Sequence, residues 1–225
     1  MMIKPYILLA DKKTAVYDPH RMYEQSEVYG IVFSDVTGEH IRVLSPIELK
    51  DQQVLPSKVN MPDTNTYPFE VDALFDYHGK NDTAEFEKAG SSVVVNVKQF
   101  LGDEWFIPAL GELVAALHCH KEIDELLSHI KYSYQLSAST RRWTASRYNQ
   151  NSAYLYNGYS GTLYDAYFCC SACIVPITLL PEGAKNPEIE RSEVSNASVE
   201  ELHMSDLNEL LAEISNGETH IKIYR

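Results

Sequence analysis

Residues 143–180 read WTASRYNQNSAYLYNGYSGTLYDAYFCCSACIVPITLL. Successive side chains of a strand point to opposite faces. Over 152–157 that alternation turns Ala153 and Leu155 inward and Tyr154 and Tyr156 outward. Gly158 and Gly161 bracket a turn, and 162–168 form the return strand. Residues 173–180 make a last core strand, placed near a sheet edge because Pro176 has no N–H to give to a ladder. The stretch therefore predicts a β-hairpin and a closing strand.

Its composition is unusual. Residues 147–174 carry Tyr148, Tyr154, Tyr156, Tyr159, Tyr164 and Tyr167, spaced by Asn, Ser, Gly and Ala. Tyr supplies stiff amphipathic contact area at low entropic cost, and Asn, Ser and Gly supply adaptable hydrogen bonds. The segment has no Lys, Glu, Met or Trp, and its one Gln is Gln150. Codons that end in a pyrimidine cannot encode those five types. A block of AAY codons with randomised adenines gives this pattern; so does a Tyr-rich β-meander that lacks charge.

Upstream, 3–9 read as a first strand, with Ile7, Leu8 and Leu9 after Pro5. Residues 28–35 and 39–45 flank Val36-Thr37-Gly38 as a hairpin. Residues 46–81 hold Pro46, Pro56, Pro62 and Pro68 without periodicity, an irregular connection. Asp82 and Glu85 have the spacing of a capping box, followed by a helical face of Phe86, Ala89, Val93, Val97, Phe100 and Leu101. Leu110, Leu113, Val114 and Leu117 give a second stripe after Pro108, and Ile123, Leu126, Leu127 and Ile130 a third beyond a break near His120. In the tail, Ser198–Glu201 offers another capping box, Leu202 to Ile214 an amphipathic helix ended by Asn216-Gly217, and 219–224 a strand.

The 225 residues carry 44% hydrophobic residues, enough for a core, and a formal charge of −13. That charge argues against binding nucleic acid or an anionic membrane through a general electrostatic surface. Residues 182–218 hold ten acidic residues against two basic ones, whereas 147–174 is nearly neutral, as a desolvated interface is. The N-terminus lacks the apolar run and cleavage site of a signal peptide, and no stretch reaches the length of a membrane span. Cys169-Cys170-x-x-Cys173 makes a poor metal or redox site, because adjacent cysteines seldom chelate one ion and no second pair follows. His118 and His120 of His118-Cys119-His120 face different sides of a helix. We expect no metal, no cofactor and no catalytic residue, there being no base-plus-nucleophile constellation.

Further motifs are Gly30-Ile-Val-Phe33 with its Gly-containing turn, Asp76-Tyr-His-Gly-Lys-Asn-Asp-Thr83, Glu104-Trp-Phe-Ile-Pro-Ala-Leu-Gly-Glu-Leu113, Trp143-Thr-Ala-Ser146, Ala153-Tyr154, Gly161 and Ile174-Val-Pro-Ile177. In this order they resemble the C-type-lectin-like variable proteins of diversity-generating retroelements and related paralogous surface domains of gut Bacteroidetes and Fibrobacter. The resemblance covers 28–180. It implies an α+β, C-type-lectin-like fold, with two or three helices on a small twisted antiparallel sheet; an N-terminal extension over 1–27 and an acidic helix–strand appendage over 181–225 lie outside it. Trp143 would be a buried anchor and Trp105 a core residue beside Pro108. The implied exposed, variable, ligand-binding residues are Tyr148, Asn149, Asn151, Ser152, Tyr154, Tyr156, Asn157, Tyr159, Tyr164, Asp165, Tyr167, Cys169, Cys170 and Ser171.

The resemblance has departures: Val175 stands where the family has an arginine, and Gln150 does not fit a pyrimidine-ending codon. No triplet of the calcium-dependent sugar-binding lectins is present. The same fold class includes formylglycine-generating oxidases that use a cysteine pair, the enzymatic alternative to binding. The implied function is recognition of a protein or glycan on a target cell, by a protein borne on a phage tail or a bacterial surface. The alternative is a structural tail or pilus subunit that packs through the same face, with 198–225 as a route to a homo-oligomer. On this reading, replacing Tyr154 and Tyr156 with Ala abolishes binding and leaves folding intact.

Overall fold

The computed structural model describes residues 3–56 and 59–190. The expected tail helix, strand and oligomerisation segment lie outside the described residues. The strands are β1 (Tyr6–Leu9), β2 (Thr14–Val16), β3 (Val28–Ser34), β4 (Ile41–Leu44), β5 (Leu49–Gln52), β6 (Arg141–Arg147), β7 (Ser152–Asn157), β8 (Thr162–Tyr167), β9 (Ala172–Ile174), β10 (Ile177–Leu179) and β11 (Glu188–Ile189). The helices are α1 (Glu70–Ala73), α2 (Gly79–Lys88), α3 (Ser92–Leu101), α4 (Leu110–His118) and α5 (His120–Ser128).

The class is α+β, but the strands form two sheets and the helices number five among the described residues. A six-stranded sheet runs β10-β4-β3-β1-β2-β11 and a five-stranded sheet β5-β9-β6-β7-β8. Pairing is antiparallel except for β11 on β2 and β9 on β6. The expected boundaries at 27/28 and 180/181 cut through one sheet. β1 pairs with β3 on one side and β2 on the other, and Ala184 is buried with Tyr6 and Leu8.

The β3–β4 hairpin forms as its sequence predicts, with Val32 opposite Val43. Its turn is held by Asp35, whose carboxylate accepts from the Glu39 and His40 amides at 3.1 and 3.2 Å. Gly38 takes the left-handed conformation at φ 77°. Gly30 has a different reason to be glycine. A Cβ there would lie 2.5 Å from the Leu44 carbonyl oxygen and 3.3 Å from the Trp105 ring.

Three local expectations change. The helix expected from Asp82 starts at Gly79, so Asp82 lies buried inside α2 and caps nothing. Its spacing to Glu85 matches a capping box by coincidence. The single face expected from Phe86 to Leu101 is split at Gly90, φ 86°. Ser91 caps α3 by accepting from the Val94 amide at 3.5 Å, and its hydroxyl donates to the Val54 carbonyl at 2.6 Å. Phe100 is exposed. The strand expected over 173–180 breaks at Val175-Pro176. β9 stays in the five-stranded sheet and β10 forms the edge of the other.

Trp143 and Trp105 are both buried. Trp143 packs with Phe86, Val94, Leu155 and Ile174, and its indole N–H donates to the Gln52 carbonyl at 3.1 Å. Val175 is buried among Phe33, Leu44 and Ile177. Truncating a buried Trp costs about 3–5 kcal/mol through lost transfer energy and the cavity left behind. Trp143→Ala should therefore lower unfolding free energy by about that amount in urea titrations. A loss below about 1 kcal/mol would show that Trp143 is not the anchor.

Candidate functional site

The Tyr-rich hairpin is β7–β8, in register from Ser152 opposite Tyr167 to Asn157 opposite Thr162. β8 is one of the two edge strands of its sheet. One face carries Ala153, Leu155, Tyr164 and Ala166 into the core around Trp143 and Phe86. The opposite face carries Ser152, Tyr154 and Tyr156 with Tyr167, Asp165 and Leu163.

That second face is not open. Tyr154 is 3% exposed and packs against Ala73, Leu110, Tyr67, Leu74, Val114, Tyr148 and Leu163. Its hydroxyl donates to the Tyr67 carbonyl at 2.8 Å, and its ring meets Tyr148 edge-on at 6.0 Å. Ser152 is also buried. The expectation that Tyr154 and Ser152 face solvent is corrected. Alternation fails here because 66–74 and the start of α4 cover the face that strand geometry would leave to water.

The covering segment is tied down from β6. The Tyr67 amide donates to the Arg147 carbonyl at 2.8 Å, and the Met61 amide to the Gln150 carbonyl at 2.8 Å. Arg147 is itself buried, donating to the Pro62 carbonyl at 2.8 Å, to the Thr64 carbonyl and to Glu85 at 2.6 Å.

The other sequence-chosen residues divide. Asn151, Tyr159, Asp165, Tyr167 and Ser171 are exposed; Tyr148, Asn149, Tyr156, Asn157, Tyr164, Cys169 and Cys170 are half-buried. All but Tyr164 and Asp165, which stand in the middle of β8, fall at two ends of the hairpin. Tyr148, Asn149, Asn151, Tyr167, Cys169, Cys170 and Ser171 lie at its open end, and Tyr156, Asn157 and Tyr159 at its turn. Tyr167 stands level with Ser152, four residues from Tyr156, so the two groups are separated by roughly 13 Å. A 240 Å³ cavity opens beside the first group, between Pro56, Val59 and Asn60 on one side and Asn151, Tyr167, Phe168 and Cys169 on the other. A 320 Å³ groove opens beside the second, lined by Leu74, Val114, Leu117, His118, Tyr156, Gly161 and Leu163.

Sequence reading missed the segment next to that groove. Phe69, Val71 and Phe75 flank and include α1, and are 69%, 65% and 77% exposed. The signal was the alternation of Phe69, Val71 and Ala73 with Glu70 and Asp72, inside a stretch read as irregular.

Beneath the hairpin lies a buried carboxylate pair. Asp76 accepts from the Ser146 hydroxyl at 2.5 Å and the His78 amide at 3.0 Å, and Ser146 accepts from the Leu110 amide at 2.8 Å. Asp82 is pushed up to about 8, by burial first and then by the charge of Asp76. Burial, then Asp76 and Asp82, raises Tyr67. Tyr154 is pushed up to about 12 by burial, then by Glu70, Tyr148, Asp165 and Asp72. Burial also raises the Cys173 thiol, followed by Glu48, which disfavours a reactive thiolate. Among the described residues no group of three or more His, Cys, Asp or Glu is placed to hold a metal ion. No described helix is long and apolar enough to cross a membrane.

Tyr154→Ala should destabilise by about 3 kcal/mol or more, against a change within about 0.5 kcal/mol for Tyr159→Ala. Equal Tm values for the two variants would place Tyr154 at the surface after all. Asp82 gives a pH signature. Its folded pKa is raised, so its contribution is full below the unfolded value near pH 4 and is lost as pH rises from there through about 8. Between about pH 5 and pH 8.5 the wild-type Tm should fall more steeply than that of Asp82→Asn. Parallel profiles would show that Asp82 is ionised in the folded protein.

The fold is similar to that in a crystal structure of a fimbrial protein from Bacteroides ovatus, with a TM-score of 0.55 and 12% sequence identity. The similarity covers 80% of this chain and 49% of that one, so the chain spans about half of that protein's length. At this identity the likeness is one of fold. No family model matches the chain, and no curated protein matches it.

Proposed function

We propose that this chain is a recognition subunit of a surface-borne assembly, binding a protein or glycan of a target cell through the exposed residues at the ends of the β7–β8 hairpin. One observation carries the reading. The side chains that stay exposed there, Asn151, Tyr159, Tyr167 and Ser171, are aromatic or small and polar, and they lie at the ends of strands whose two faces are packed. A surface fixed before binding loses little entropy on contact. The reading is one of binding without catalysis and without a cofactor.

The finer form is a C-type-lectin-like scaffold with a retroelement-diversified segment. The burial of Trp143 and Trp105 supports it, as does the fall of the exposed residues inside the codon-biased window. Burial removes Ser152 and Tyr154 from the variable set. The second reading is a structural tail or pilus subunit that packs through the same face. It is favoured by the fold likeness to the Bacteroides ovatus fimbrial protein and by the free edge of β8.

Sequencing the DNA that encodes and flanks residues 147–178 tests the finer form. A near-copy that differs only where it has adenine, beside a reverse-transcriptase gene, is the expected result; its absence moves the weight to a fixed adhesin or a structural subunit. Binding is tested on glycan arrays and a panel of bacterial cells. Tyr159→Ala with Tyr167→Ala should weaken whatever binding the wild type shows by about tenfold or more, with Tm unchanged. Undiminished binding by that double variant overturns the assignment to the hairpin ends.

A further inference from the structure

The segment Phe69–Phe75 places three large apolar side chains in solvent within seven residues. Contiguous exposed apolar surface of this kind marks an interaction site more often than a free surface. It continues through Leu74 into the groove that reaches Tyr156 and Leu163. Its charges are all of one sign. Glu70 and Asp72 interleave with the apolar residues, and Asp165 of β8 belongs to the same neighbourhood, since it stands opposite Tyr154, which packs against Ala73 and Leu74. Among the described residues, none of these three carboxylates makes an ion pair or a side-chain hydrogen bond.

We propose that this face docks a basic, apolar segment of a partner protein, in which Lys or Arg flanks Leu- or Phe-like side chains. Apolar partner side chains cover Phe69, Val71 and Phe75 and enter the groove, and the cations meet Glu70, Asp72 and Asp165. Charge complementarity selects this occupant. A second copy docked symmetrically would set each copy's three unpaired carboxylates against the other's, in a chain that already carries −13. The proposal names the partner chemistry for a protein read as a binding subunit, and so rests on that reading. It does not depend on Tyr159 or Tyr167.

The test uses the full chain and three fluorescein-labelled peptides, followed by anisotropy: an amphipathic lysine–leucine helix, its glutamate–leucine counterpart, and a lysine-only peptide. The lysine–leucine peptide should bind, more weakly as salt rises, and at least about tenfold tighter than either control. Phe69→Ser with Phe75→Ser, and separately Glu70→Lys with Asp72→Lys, should each weaken it by about tenfold. All four sites are exposed, and circular dichroism confirms that the variants fold. Tyr159→Ala with Tyr167→Ala should leave peptide binding unchanged, so that failure of this docking face and failure of the hairpin-end reading are told apart. The proposal is overturned by no binding, by equal binding of the lysine-only peptide, or by affinity indifferent to both α1 double variants. It is equally overturned if light scattering shows self-association that Phe69→Ser with Phe75→Ser abolishes, for the occupant is then a second copy.

Discussion

An arginine removed from water has to be met by a carboxylate or by carbonyl oxygens, and β6 buries two of them. Arg142 is matched by Glu48 at 3.0 Å and by the Gln135 carbonyl at 3.0 Å, and Arg147 by Glu85 and the carbonyls of Pro62 and Thr64. Between them the strand binds something different at every turn of the pleat. Trp143 reaches the Gln52 carbonyl, the Thr144 hydroxyl the Tyr154 carbonyl, the Ala145 amide the Pro108 carbonyl, and Ser146 joins Asp76 to the start of α4. Breaking one side of a buried charge pair costs several kcal/mol because it leaves an uncompensated charge. β6 therefore dictates where the irregular chain from 46 to 69 must run, and that chain in turn decides which part of the Tyr-rich hairpin water can reach.

This dependence separates what was legible in the chain from what was not. The β3–β4 hairpin, the α4 and α5 stripes and the β7–β8 pairing follow from local signals, namely turn glycines and the periods of strand and helix. Tyr154 looked exposed because its alternation with Leu155 is local, while the residues that cover it come from 66–74 and from Leu110. Asp82 has the spacing of a cap, and only the approach of Asp76 from outside the helix shows it to be half of a buried pair. In 173–180 Pro176 did signal an edge, but nothing in the run says that its two halves belong to different sheets. Phe69 and Phe75 went unremarked because a Pro-rich surround hides a single helical turn.

Among the buried side-chain polar atoms without a partner in the described residues are Asp82 Oδ2 and Arg147 Nε. Both belong to the network under the hairpin, where the Arg147 guanidinium opposes the rise of the Asp82 pKa by favouring its charged form. A buried polar atom without a partner costs about 1–3 kcal/mol. The rigidity of the Tyr-rich hairpin is thus achieved at some expense of stability directly below it.

The passage from β9 to β10 has a mechanical meaning. Val175 and Pro176 alone connect a strand of one sheet to a strand of the other, and Phe106 locks the far side by exchanging backbone hydrogen bonds with Ile177 at 2.9 and 3.0 Å. Two residues of extended chain span only about 7 Å. The link therefore holds the neighbouring ends of the two sheets close together. Tension on the β7–β8 end passes through this short tether into the six-stranded sheet, so the body of the protein should bear load as one piece.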